Sequence, residues 1–188
     1  GGQSIALSQE TEYPLNGNVQ ITVNPQREAS FTIGLRIPAW SQKTAVEVNG
    51  QKVEGVRAGQ YCLIERTWKA GDRISLTTDI KARLIEMNDM QAIERGPVVL
   101  ARDTRFRDGY IDEACLIPTH DGNIVDLEPI SAPKDMWMAF RLTMPRGAYN
   151  TETFVTNFCD FASAGNTWNQ AERYRVWLPK INDPSKVK

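Results

Sequence analysis

Apolar and polar residues alternate with a period of two through the first hundred positions. Val19, Ile21 and Val23 are interleaved with Gln20 and Thr22, and Phe31, Ile33, Leu35 and Ile37 with Thr32, Gly34 and Arg36. Successive side chains of an extended chain point to opposite faces, so this rhythm predicts antiparallel strands with one face on a core and one in water. Pro25 and Pro38 close the two runs, because proline has no N–H to give to a ladder. The sharpest local signal is Ala45-Val46-Glu47-Val48-Asn49-Gly50-Gln51-Lys52-Val53. Asn-Gly accepts the positive φ angles of a type I′ turn, so this segment predicts a hairpin. Tyr61–Trp68 alternates again, Ala70-Gly71-Asp72 turns it, and Ile74, Leu76, Thr78 and Ile80 then share a face. Residues 84–87 and 97–100 predict two further strands. About seven strands at short, regular spacing, with no competing helical period, predict an all-β antiparallel sandwich of the jelly-roll or immunoglobulin-like kind.

The texture changes after Asp103. Residues 104–135 hold Asp108-Gly109, Asp121-Gly122, Pro118, Pro129 and Pro133 and few apolar runs, which predicts an irregular connection. Three strands are expected beyond it, at 137–144, 153–161 and 173–178. In the first, Met138, Phe140, Leu142 and Met144 share a face; in the last, Tyr174, Val176 and Leu178 oppose Arg173, Arg175 and Trp177. The tail at 182–186 is expected to fray. The expected organisation is a β-sandwich domain over residues 1–103 and a loop-rich β segment over 104–188, packed on the first and not independent of it.

Composition narrows the chemistry. The chain has 188 residues, 22 Lys and Arg against 23 Asp and Glu, and a formal charge of −1. A chain of this length buries a core without staples. Its neutral balance and lack of a basic run argue against electrostatic binding of nucleic acid. No run approaches the roughly 18 apolar residues of a membrane-spanning helix. A single His and three scattered Cys, with no CxxC pair, offer no zinc site. Cys62, Cys115 and Cys159 each read as a small buried hydrophobe, with one disulfide left open. The opening Gly1-Gly2-Gln3 has no initiator Met and no signal sequence, so the chain reads as a piece of a longer protein and carries no indication of compartment.

Few residues are candidates for reaction chemistry. His120, in Pro118-Thr119-His120-Asp121-Gly122, reads as a turn histidine, and no nucleophile elbow accompanies it. A carboxylate pair would have to come from Glu65, Asp79, Glu86, Glu94, Asp112, Glu113 and Asp160. Asp160 lies among Phe158, Cys159 and Phe161, where a carboxylate needs an Arg or backbone partner. Trp40, Trp68, Trp137, Trp168 and Trp177 could offer flat faces to sugar rings, although Trp68, closing an alternating strand, reads as core. Trp168 sits in Ala162-Ser163-Ala164-Gly165-Asn166-Thr167-Trp168-Asn169, a small-residue loop suited to ligand contact. Trp168, Asn166 and Trp137 are therefore the candidate sugar or interdomain contacts. No phosphate loop, dinucleotide fingerprint, EF-hand or N-x-[ST] sequon is present.

A series of motifs now adds up. It runs through Ser30-Phe31-Thr32-Ile33-Gly34-Leu35-Arg36-Ile37-Pro38-Ala39-Trp40, Val46-Glu47-Val48-Asn49-Gly50, Trp68-Lys69-Ala70-Gly71-Asp72 and Glu94-Arg95-Gly96-Pro97-Val98-Val99. Residues 162–168 and Arg173-Tyr174-Arg175-Val176-Trp177-Leu178-Pro179 complete it. In order and spacing the series resembles the C-terminal β-rich region of β-L-arabinofuranosidase-like glycoside hydrolases, family 127 and its relative family 146. The resemblance implies that chemistry belongs to an (α/α)₆ barrel preceding this region, with a cysteine nucleophile, a zinc site of cysteines and a glutamate, and a glutamate acid/base. None of those motifs occurs here, so no catalytic, metal or cofactor residue is carried over. The implied partner is the catalytic barrel of the same parent chain, and the implied parent is exported. The expected function is a non-catalytic brace for that barrel. The alternative is a carbohydrate-binding module for arabinose-containing plant oligosaccharides; a stand-alone hydrolase or a purely structural sandwich ranks behind both.

Overall fold

The computed structural model describes residues 2–146 and 152–181, so the expected fraying at 182–186 lies outside the described residues. The chain divides into two compact units, Gly1–Ile80 and Lys81–Lys188. The division falls well before the change of texture at 103. The reason is strand pairing: the strands between 81 and 103 form their ladders with one another and with strands from beyond 120.

The first unit contains β1 (Ile5–Thr11), β2 (Asn18–Pro25), β3 (Ala29–Arg36), β4 (Ala45–Val48), β5 (Gln51–Lys52), β6 (Tyr61–Trp68) and β7 (Asp72–Thr77). A five-stranded sheet runs β1-β2-β7-β4-β5, and β3 pairs with β6 in a second sheet. Val23, Val46, Val48 and Ile74 from the first sheet and Leu35, Cys62, Ile64 and Trp68 from the second meet in one buried cluster. These are the apolar positions of the alternating runs, so the sandwich follows from the period of two. Trp68 is wholly buried, its indole stacked on Phe31 at 6.0 Å and its Nε1 donating to the Phe31 carbonyl at 3.0 Å. The Asn-Gly hairpin forms as expected, with Asn49 at φ 52° and Gly50 at φ 78°.

Strand β1 has no counterpart among the sequence-derived strands. All seven of its residues are exposed, so selection for a buried face left no alternation to read. It is held by its ladder to β2, in which Leu7 lies opposite Val23.

The second unit contains β8 (Ala82–Met87), β9 (Met90–Arg95), β10 (Val98–Asp103), β11 (Ile124–Val125), β12 (Glu128–Ile130), β13 (Ala139–Pro145), β14 (Thr153–Asp160), β15 (Tyr174–Arg175) and β16 (Leu178–Pro179). They pair in the order β11-β8-β9-β10-β14-β13-β12, with β15 on β10 and β16 on β9. Ile93, Leu100, Met138, Phe140, Leu142, Met144, Phe158 and Leu178 fill its core. Strand β9 lacks alternation because Gln91, Ala92 and Ile93 are all buried. Gln91 is accommodated by donating to the Cys115 carbonyl at 2.6 Å and accepting from Ile117 N at 3.3 Å. The strand expected at 173–178 is instead two short strands on different partners. All three cysteines are buried free thiols, so the disulfide left open by the sequence does not form.

Candidate functional site

The loop-rich part of the second unit is organised by two buried carboxylates. Asp103 caps a 3₁₀ turn at Thr104–Phe106 by accepting from Arg105 N at 2.9 Å. The same carboxylate takes Arg105 Nε and Nη2, each at 2.9 Å, and Gly165 N at 2.9 Å. Burial alone would raise the Asp103 carboxyl, but hydrogen bonds from Arg105 and the backbone outweigh it and hold it below the usual carboxylate range. Arg105 also donates to the Ser163 carbonyl at 2.7 Å and to Asn166 Oδ1 at 3.0 Å.

Asp160, at the end of β14, finds the backbone partner its apolar neighbours require. It accepts from Met138 N at 3.1 Å and Ser163 N at 2.9 Å, and the Ser163 hydroxyl donates to it. Ser163 Oγ in turn accepts from Trp137 N at 2.9 Å. Asn166 Nδ2 donates to the Asp135 carbonyl at 2.7 Å. The segments 135–138 and 160–168 are thus one hydrogen-bonded assembly.

All three candidate contacts lie on these two segments. Trp168 is 91% exposed with φ 57°, and Trp137 is half exposed. Asn166 is exposed, but its amide is engaged at both ends, by Arg105 and by Asp135; it positions the loop. The sequence carried no sign of Arg105 and Asp103, because charged residues beside a loop read as a solvated surface.

Beside this loop runs an apolar groove of about 500 Å³, lined by Ile85, Met90, Val99, Phe161, Tyr174 and Trp177 among others. Phe161 and Tyr174 are each about half exposed, with ring centroids 5.8 Å apart. A more polar groove of about 510 Å³ has His120, Asp126, Glu128 and Arg141 on its walls. His120 sits in a turn, as expected, with Nε2 3.0 Å from Asp126 Oδ1 and Nδ1 3.3 Å from Asp121 Oδ2. The Asp126 contact raises its pKa.

The candidate carboxylates are not assembled into a pair by either groove. Glu86 is bound to Lys180, Asp112 to Arg175, and Glu113 lies 3.8 Å from Arg146. Among the described residues no three His, Cys, Asp or Glu side chains converge to hold a metal ion.

Residues 1–80 match the family model of the GH127 β-L-arabinofuranosidase middle domain, and the match ends where the first compact unit ends. No curated protein matches the chain. Among solved structures, a glycoside hydrolase superposes with a TM-score of 0.76 at 26% identity, covering 95% of this chain and 32% of that one. A GH127 β-L-arabinofuranosidase from Geobacillus stearothermophilus T6 gives 0.73 at 26% identity, with 95% and 31% covered. A GH127 β-arabinofuranosidase gives 0.76 at 23% identity, with 99% and 33% covered, a likeness of fold alone. The chain therefore spans about a third of the length of the solved structures it matches. Family 146 is named by none of these three. Over nearly all of its length the chain resembles the β-rich part of GH127 β-L-arabinofuranosidase-like glycoside hydrolases, its first unit matching their middle domain.

Proposed function

We propose that this chain is a non-catalytic β-rich part of a β-L-arabinofuranosidase-like glycoside hydrolase and braces a catalytic (α/α)₆ barrel. The observation that carries the reading is coverage: 95% of this chain superposes on only 32% of a glycoside hydrolase. The engagement of Glu86, Asp112, Glu113 and Asp160 in ion pairs and backbone bonds is in keeping with a structural part. Exposed Ile85, Met87, Phe161 and Tyr174 offer an apolar surface on which a barrel would dock. On this reading any zinc is held by the barrel, the glycan substrate contains arabinose, and the whole protein is exported.

The test is an assay of the 188-residue chain alone on an aryl β-L-arabinofuranoside, beside binding of an apolar dye. No hydrolysis and strong dye binding, reduced in Phe161→Ser, are expected. Hydrolysis by the isolated chain overturns the non-catalytic reading, and absence of dye binding overturns the docking surface.

A further inference from the structure

The five-stranded sheet of the first unit is faced by only two strands, β3 and β6. Directly opposed residues of an antiparallel ladder share a face. In β1, Ile5 stands opposite Pro25, Leu7 opposite Val23, Gln9 opposite Ile21 and Thr11 opposite Val19. Pro25, Val23 and Val19 are buried, so Ile5 and Leu7 point to the core side of the sandwich. They are nevertheless 40% and 57% exposed, and neither belongs to the buried cluster. The core side of β1 is uncovered.

The uncovered place lies beside β3. Residues 26–28 join β2 to β3, residues 69–71 join β6 to β7, and β2 lies between β1 and β7, so β3 is the strand of the second sheet on the β1 side. Its inward residues Phe31 and Ile33 are only half-buried, whereas Ile64 and Trp68 of β6 are buried. Its far edge is free. Ile37 N donates to the Gln60 carbonyl, which sets the alternation along the ladder. Ala29, Phe31, Ile33 and Leu35 turn their backbone groups to β6, and Ser30, Thr32, Gly34 and Arg36 turn theirs away. Among the described residues no strand pairs there, and no proline blunts the edge.

We propose that an extended segment of a longer polypeptide, from outside these 188 residues, pairs with the free edge of β3 and lays alternate side chains on Ile5, Leu7, Phe31 and Ile33. An unpaired ladder edge selects a strand over a helix, because only a strand offers N–H and C=O groups at the matching spacing. The uncovered apolar row selects one with apolar residues at every second position. A second copy of this chain has no strand to insert, since β1 to β7 are each held in a ladder. The glycoside hydrolases it resembles have chain to spare: it covers 32% and 31% of two of them. The inference rests on the reading of this chain as part of a larger hydrolase, and it places a contact on the first unit that the bracing surface of the second does not include.

Amide hydrogen exchange is compared between the 188-residue chain and the longer polypeptide. The Ser30, Thr32 and Gly34 amides should exchange freely in the chain and about tenfold or more slower in the longer protein, with Phe31 and Ile33 protected in both. Leu7→Ser should leave the melting temperature of the chain nearly unchanged and lower that of the longer protein by several degrees. Edge amides that stay fast in the longer protein overturn the proposal, as does equal tolerance of Leu7→Ser in both. A chain that dimerises with those amides protected makes a second copy the occupant and overturns it too. So does a gene that encodes these residues alone. The hydrolysis assay above reads the isolated chain, so the non-catalytic reading fails on separate evidence.

Discussion

Asn49 Nδ2 donates to Asp72 Oδ1 at 2.9 Å, across 23 residues of sequence. Asn49 Oδ1 accepts from Arg73 N at 2.8 Å, and Asn49 N donates to the Arg73 carbonyl at 2.9 Å. Asp72 is buried, and its other oxygen accepts from Lys69 N at 3.0 Å. Two of the motifs that carry the family resemblance, Val-Asn-Gly and Trp-Lys-Ala-Gly-Asp, are therefore the two halves of one joint. The hairpin asparagine does more than tolerate a positive φ: it ties the β4–β5 turn to the corner between β6 and β7. The motifs record a fold requirement of the sandwich.

This joint predicts a pH dependence. The Lys69 N–H, then Asn49, then the charges of Arg66 and Lys69 hold the Asp72 carboxyl below its usual range. A carboxyl whose folded pKa lies below its unfolded value stabilises fully above the unfolded value, near 3.9, and loses that contribution as pH falls through the folded one. Urea melts should show stability falling below about pH 4. Asp72→Asn should be less stable at pH 7 and show a shallower acid limb. An unchanged acid limb would remove Asp72 from the account. Asn49→Ala, which strips a partner from a buried carboxylate, should cost about 1–3 kcal/mol at pH 7.

The sandwich was legible where one face is buried and the other wet, as in β2, β3 and β6, because that contrast is what alternation records. It failed at both extremes. Strand β1 is exposed on both faces and β9 is covered on both, so neither alternates. The boundary at 80 was illegible for another reason: strand pairing across sequence distance leaves no mark on local composition. Trp168 stood out as an aromatic in a small-residue loop, whereas Trp137 read as the start of a strand over 137–144. The Asp103–Arg105 and Asp160–Ser163 bonds that position them depend on tertiary contact, and no local pattern encodes them.

Gly165 is required for close approach as well as for φ. A Cβ there would lie 2.6 Å from Tyr174 Cδ1 and 2.7 Å from Cε1, and φ is 64°. Gly122, at φ 92°, has nothing within 4 Å of that position. Gly122→Ala should therefore carry only the backbone penalty, about 1 kcal/mol, whereas Gly165→Ala adds the displacement of an aromatic ring and should cost about 2–4 kcal/mol. Thermal melts of the two variants compare them directly. Equal losses would show that Tyr174 moves aside freely.

Ser163 is 5% exposed and joins Trp137 N to Asp160. Ser163→Ala leaves that N–H without its acceptor and takes one donor from a buried carboxylate, at a cost of about 1–3 kcal/mol. The loss should be local. Hydrogen exchange should accelerate at the Trp137 and Met138 amides while the β2–β7 ladder of the first unit keeps its protection. Acceleration spread evenly over both units would mean that Ser163 supports global stability and not this loop.

The three thiols should be silent in the native protein. Burial first, with Asp103 and Asp160 adding negative charge, pushes Cys159 up to about 12, and burial pushes Cys115 up to about 11. Burial also raises Cys62. The thiolate is the reacting species, so at pH 8 the two higher thiols stay protonated as well as inaccessible. A disulfide reagent at pH 8 should titrate three thiols per chain in denaturant and react slowly without it. Cys62, at 8% exposure against none for the other two, should react first. Its rate reports opening of the β3–β6 layer, and the rates of Cys115 and Cys159 report opening of the second unit. A prompt native reaction at Cys159 would place the Asp160 end of β14 in water and overturn the account of a closed second-unit core.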